Sequence, residues 1–144
     1  MKKFAVNFGI SLVGYLIMSF FVALFLGLPL QIVNGNIYAV FHTIVIAGLY
    51  FLLGIGLNSL GKHWLNYLSV CGSFIVALSL IFYNFGSIFA FNTSFAGIWH
   101  IVYHRNINIL MLSIALTPLP SIFTWLGMVY KSGKLKKKQS EMTD

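Results

Sequence analysis

The sequence predicts an all-α integral membrane protein, a four-transmembrane-helix bundle with a short amphipathic interfacial helix between helices 3 and 4. Composition is the first reason, because 59% of the chain is hydrophobic, 17% is aromatic and 8% is charged. The second reason is that no carboxylate side chain precedes Glu141, and Asp144 is the only other one. A chain of this kind is typical of proteins whose solvent is lipid. With about 20 residues per span, four spans and short loops fill its 144 residues.

The first predicted span covers about residues 4–30 and follows Lys2 and Lys3. Its apolar run is longer than the apolar region of a secretory signal peptide, so we expect it to be retained. Pro29 and the polar segment 31–36, with the turn signal Asn34-Gly35, end it.

The other three spans are predicted at about residues 37–60, 65–91 and 107–130. The second ends in a polar segment at 58–63, and the fourth contains Pro118 and Pro120. Residues 1–130 therefore form a single four-span membrane domain, and residues 131–144 form a basic cytoplasmic tail.

The positive charges predict the orientation. Four spans put both termini and the loop between spans 2 and 3 on one side of the membrane. That side carries all of the lysines, which are Lys2, Lys3, Lys62, Lys131, Lys134, Lys136, Lys137 and Lys138. The opposite side carries the single arginine, Arg105. The positive-inside rule then places both termini in the cytoplasm of a multi-pass cell-membrane protein. The usage of Ile, Phe, Asn and Lys, with a single Arg, indicates a bacterial source.

The segment 92–106 has helical amphipathic spacing. Its apolar side holds Phe95, Ile98, Trp99 and Val102, and its polar side holds Thr93, Gly97, His100 and His104. We expect this helix to lie in the outer interface, where Trp99 and Tyr103 suit the depth. On the cytoplasmic side, Lys134, Lys136, Lys137 and Lys138 are the predicted contacts with anionic lipid.

Histidines are the candidate functional residues, because the apolar body lacks carboxylates for acid-base catalysis. The predicted topology gathers His42, His100, His104 and Arg105 at the outer mouth. His100 and His104, one helical turn apart, could hold a metal ion with His42, or two of these histidines could hold a haem. Alternatively, a histidine could act as a general base while Arg105 binds an anionic head group. The other interpretation of these histidines is that they form only the polar face of the interfacial helix. No cofactor is predicted, although a metal ion or haem stays possible.

Two four-span classes are excluded by the residues present. The size and layout resemble small multidrug exporters, but those depend on a membrane-embedded glutamate in the first span, which is absent here. Quinone-linked thiol oxidoreductases need paired cysteines, and Cys71 is the single cysteine.

Three classes of function stay open. The favoured one is a non-enzymatic accessory, immunity-type or partner-binding membrane component. The alternatives are a lipid-directed enzyme or lipid carrier that uses the outer His/Arg cluster, and a metal- or haem-binding membrane protein. Membrane lipids are the expected partners, together with another membrane protein or a second copy of the chain. The net charge is +7, but the positively charged residues lie between the apolar runs and do not form a face together with other polar residues. A nucleic-acid partner is therefore not expected.

Overall fold

The computed structural model describes residues 1–26, 35–83 and 114–142, and within these ranges the chain is helical with no strand. The all-α prediction is therefore confirmed for this part of the chain. The helices are α1 (Lys2–Leu26), α2 (Gly35–Gly56), α3 (His63–Val70), α4 (Gly72–Tyr83) and α5 (Leu119–Ser140). The predicted interfacial helix at 92–106 lies outside the described residues.

Helix α1 has an inverted polarity. Its buried side chains recur every four residues, which places Asn7, Ser11, Tyr15 and Ser19 on one stripe facing the other helices. Large apolar side chains cover the outward surface: Val6, Ile10, Val13, Leu16, Ile17 and Phe20 are all exposed. A helix on the surface of a water-soluble protein shows the opposite arrangement.

One helical segment among the described residues, Lys2–Phe20, is long and apolar enough to cross a bilayer by length and composition. Only 22% of its apolar window is buried, whereas the core helix of a soluble protein would be mostly buried. The apolar part of α2, Val40–Gly56, is shorter.

The third apolar run forms two helices within its described part. The chain leaves α3 at Val70, makes a turn at Cys71 and begins α4 at Gly72. The carbonyl oxygen of Val70 accepts hydrogen bonds from Ser11 Oγ at 3.2 Å and Ser121 Oγ at 3.0 Å. The end of α3 is therefore joined to both α1 and α5 at this turn.

Helices α2 and α5 pack so closely that their backbones are in contact at two glycines. A Cβ atom added to Gly54 would collide with the carbonyl oxygen of Thr124, and one added to Gly127 would collide with that of Phe51. The two glycines also face each other, since a Cβ on either would lie about 3 Å from the other's Cα. Small residues allow such close approach between helices, which maximises dispersion contacts.

Helix α5 begins after Pro118 and has Pro120 within its first turn, where a missing N–H costs no helical hydrogen bond. The helix then continues to Ser140, so the backbone of the lysine-rich segment is helical through most of the predicted tail. Its first half packs with α1 and α2 around a buried cluster of Tyr15, Ile46, Tyr50 and Leu116.

Candidate functional site

Most of the predicted outer cluster falls outside the described residues. His100, His104 and Arg105 are not described, nor are the interfacial residues Trp99 and Tyr103. His42 is described and lies half-buried on α2. The three-histidine metal site, the haem site and the His/Arg lipid site therefore stay predictions. Within residues 1–26, 35–83 and 114–142, no group of three or more metal-ligating side chains comes together.

The described residues instead bring a polar site together at the lysine-rich end of the bundle. The loop between α2 and α3, residues 57–62, is held there by side chains from three helices. Asn7 of α1 pairs with the backbone of Asn58 through two hydrogen bonds, donating from Nδ2 to its carbonyl (2.7 Å) and accepting its N–H at Oδ1 (3.1 Å). Asn7 is fully buried, so this amide replaces water as the partner of the loop.

Helix α5 fixes the other side of the same loop. Lys131 donates from Nζ to the carbonyl of Leu57 at 2.8 Å, and Ser132 donates to the hydroxyl of Ser59 at 2.8 Å. Trp125 donates from Nε1 to the carbonyl of His63 at 3.2 Å, which secures the first residue of α3. Gly61 adopts a φ of +82° at the tip of the loop, a conformation that favours glycine.

A groove of about 500 Å³ opens between this loop, the start of α3 and the last turns of α5. Its lining has polar side chains from the loop, α3 and α5, and apolar side chains from α5 and the residues that follow it. The polar side chains are Ser59, His63, Asn66, Ser132 and Gln139, and the apolar ones are Leu135 and Met142.

Asn66 of α3 lines the groove. It is 1% exposed, and its Oδ1 accepts the N–H of Leu60 at 2.8 Å. Its Nδ2 takes part in none of the hydrogen bonds among the described residues.

The described lysines of the tail occupy the outer surface of α5 beside the groove. Lys134 is exposed and its Nζ lies 5.1 Å from the centroid of the Tyr130 ring. Lys137 is 3.9 Å from the carboxylate of Glu141, and both side chains are well exposed. The side chains of Lys136 and Lys138 lie outside the described set. Exposed pairs of this kind add little stability, about 0–1 kcal/mol.

Sequence reasoning missed the residues of this groove. The sequence does not single out Asn66, which lines the groove, or Asn7, which holds the neighbouring loop, although each is an amide close to the lysine-rich end of a predicted span. The recurrence of Asn7, Ser11, Tyr15 and Ser19 at four-residue spacing is a signal that could identify the buried stripe.

Comparison with models of known protein families, with curated proteins and with solved structures gives no significant match.

Proposed function

We propose that this chain is a multi-pass integral membrane protein with both termini in the cytoplasm, which acts as a non-enzymatic component by binding another membrane protein. The observation that carries the membrane placement is the inverted polarity of α1, with its polar stripe Asn7, Ser11 and Ser19 inside and its apolar surface outside. In the favoured arrangement four helices cross the bilayer.

Energetics favour lipid as the medium around α1. A large apolar side chain left in water forgoes about 1.5–3 kcal/mol relative to its burial. Six such side chains are exposed on α1, so the exposed arrangement would lose of the order of 10 kcal/mol in water. Lipid removes this loss, and it also explains why hydroxyl and amide groups turn inward to find partners.

The arrangement of the lysine-rich end supports the proposed orientation. Asn7 near the N-terminus, the loop 57–62 and Lys131 of α5 are joined by hydrogen bonds at a single end of the bundle. These are the three regions in which the lysines occur. An end of this charge remains in the cytoplasm during membrane insertion.

A binding role suits the exposed face of α2. Phe41, Ile44, Leu49 and Leu52 are exposed there, while the opposite face packs closely against α5 through Gly54. One face of α2 is thus rigidly held and the other is available to a transmembrane helix of a partner.

Site-specific photo-crosslinking in the native membrane tests this role with a matched pair of isoleucines. A photoreactive residue in place of Ile44, which is 65% exposed, is expected to give a discrete protein adduct. The same residue in place of Ile46, which is 5% exposed and two positions away, is expected to give none. Lipid adducts alone at Ile44, or identical products at both positions, would contradict the partner-binding role.

A further inference from the structure

We infer that the turn at Cys71 is a two-state hinge between α3 and α4. In the bent state, which the structure shows, the carbonyl of Val70 accepts hydroxyl groups from α1 and α5. In the straight state it accepts the N–H of Phe74, as in a continuous helix. The hinge goes beyond the partner-binding role, and it rests on the proposed membrane placement only for the medium that surrounds the turn.

The backbone at the turn is already close to helical. Cys71 has φ −76° and ψ −1°, and the usual helical values are about −63° and −42°. The N–H of Ile75 bonds to the carbonyl of Cys71 at 3.0 Å, whereas among the described residues no backbone bond runs from Phe74 to Val70. A change of roughly 40° in one ψ angle would therefore bring the missing helical bond within reach.

Two hydroxyl groups from neighbouring helices hold the bent state. Ser11 of α1 and Ser121 of α5 donate to the carbonyl of Val70 at 3.2 Å and 3.0 Å, and all three residues are buried. On the other side of the turn, the thiol of Cys71 donates to the carbonyl of Leu68 at 3.2 Å. Side chains thus supply donors to both carbonyls at the point where the helix is interrupted.

The hydroxyl groups have other acceptors when Val70 changes its donor. Ser and Thr in a helix can donate to the carbonyl four residues earlier. In this protein Thr124 does so to Pro120 and Ser79 does so to Ile75, both at 2.8 Å. Because both states can satisfy the carbonyl and the hydroxyls, neither state carries the cost of an unpaired buried group.

The depth of the turn makes the exchange of donors discrete. Ser11 lies nine residues after Lys2, and Ser121 lies ten residues before Lys131, which corresponds to about 14–15 Å along a helix. In the proposed arrangement the turn is therefore near the middle of a hydrocarbon core about 30 Å thick. No water is present there to bond to a carbonyl between states, so intermediate positions are unfavourable.

Helix α4 is the part that moves. The start of α3 is fixed to α5 by the hydrogen bond from Trp125 to the carbonyl of His63. At the start of α4, by contrast, the ring of Phe8 lies against the bare backbone of Gly72, a contact that involves no directional bond. Straightening therefore changes the direction of α4 while the lysine-rich end keeps its contacts.

Electron–electron spin-label distances in the full-length protein, reconstituted in lipid nanodiscs, measure the hinge. The labels are attached at Trp64→Cys on α3 and Ser79→Cys on α4, both exposed positions, in a Cys71→Ser background. A continuous helix separates these positions by about 22 Å, and the bent helix brings them closer together. The background protein is expected to give two distance populations, of which the shorter is dominant.

A matched pair of variants at Phe74 identifies the longer population. Phe74 lies in the first turn of α4, where the N–H has no partner within the helix, so proline is compatible with the bent state. Proline removes the N–H that the straight state needs. Phe74→Pro should reduce the longer population by at least about tenfold, whereas Phe74→Ala keeps the N–H and should retain it.

The double variant Ser11→Ala with Ser121→Ala removes the hydroxyl donors of the bent state. The ratio of the longer to the shorter population should rise by about tenfold, the effect of losing two hydrogen bonds. Ser19→Ala is the matched control, because it removes another buried hydroxyl from α1, two turns beyond Ser11. Its ratio should stay within about twofold of the background, since distant sites act independently.

A single distance that no variant changes would overturn the hinge, and so would an equal shift in Ser19→Ala. Equal effects of Phe74→Pro and Phe74→Ala would also overturn it. If the double serine variant does not fold, the Phe74 pair decides the outcome. These distances do not depend on a partner, so a failed crosslink at Ile44 would leave the hinge standing, and a rigid turn would leave the partner-binding role standing.

Discussion

The buried amide of Asn7 connects two parts of the chain at the lysine-rich end of the protein. Its two hydrogen bonds to the backbone of Asn58 connect the first turns of α1 to the loop that follows α2. Replacing Asn7 by leucine keeps the branching at Cγ, adds some volume and leaves both backbone groups of Asn58 without this partner. We expect the free energy of unfolding to fall by about 1–3 kcal/mol, the range for unsatisfied polar groups.

The matched control is Asn58→Leu, the same replacement at the other member of the pair. Asn58 contributes its backbone to the contact and its side chain is exposed, so the effect should stay within about 0.5 kcal/mol. Reversible unfolding in mixed micelles measures both variants. Similar losses at the two positions would show that the amide of Asn7 has no special role.

The sequence shows which residue types could take part in chemistry. It does not show which side chains come together in the folded protein. His42, His100 and His104 are candidate functional residues because imidazole titrates near neutrality. An amide such as Asn66 does not titrate, so its residue type alone does not mark it as a candidate. Whether Asn66 lines a groove depends on the path of the loop 57–62, which is set by contacts with Lys131 and Ser132 more than 70 residues later. Such contacts leave no local pattern in the sequence.

The contact between α2 and α5 governs packing at the scale of elements. Alanine at Gly54 would place its methyl group against the carbonyl oxygen of Thr124, so the two helices would have to separate. Overpacking of this kind costs about 1–3 kcal/mol. We expect Gly54→Ala and Gly127→Ala to destabilise the bundle by similar amounts, and the double variant by less than their sum, since both disrupt one contact.

Gly48→Ala on the same helix is the control, because an added Cβ there meets nothing within 4 Å. It should be neutral or stabilising by up to about 1 kcal/mol, the difference in helix propensity between the two residues. Thermal unfolding in one detergent ranks the four variants. A loss at Gly48 equal to that at Gly54 would contradict the close-packing explanation.

Helix existence was predictable from the sequence, but helix continuity was not. Long apolar runs and the turn signal Asn34-Gly35 gave α1 and α2 their approximate positions, and no signal of comparable strength marked the turn at Cys71. That turn lies where Ser11 and Ser121 from other helices bind the carbonyl of Val70. A break stabilised by distant hydroxyls is a tertiary feature, so hydropathy along the chain does not reveal it. The reach of α5 to Ser140 was missed because its lysines read as a solvated tail.

Two independent observations on the whole molecule, the positions of the lysines and the inverted polarity of α1, both agree with the proposed membrane arrangement. The lysines lie in three regions of the sequence, and the described contacts bring these regions to one end. Apolar side chains cover the outside of α1, which in the proposed arrangement faces lipid. In the proposed arrangement, the question that can be tested is whether the chain crosses the bilayer an even number of times with both termini in the cytoplasm.

Single-cysteine labelling answers that question, and the chain suits it because Cys71 is the only cysteine. Cys71→Ser provides the background, since a serine hydroxyl can keep the hydrogen bond that the thiol donates to Leu68. Lys3→Cys and Lys134→Cys are then expected to react with an impermeant maleimide only in inverted vesicles, and Ser94→Cys only in intact cells. This pattern requires an even number of crossings between the ends and an outward segment before α5. Reaction of Lys134→Cys in intact cells would reverse the orientation, and opposite accessibility of Lys3→Cys and Lys134→Cys would require an odd number of spans.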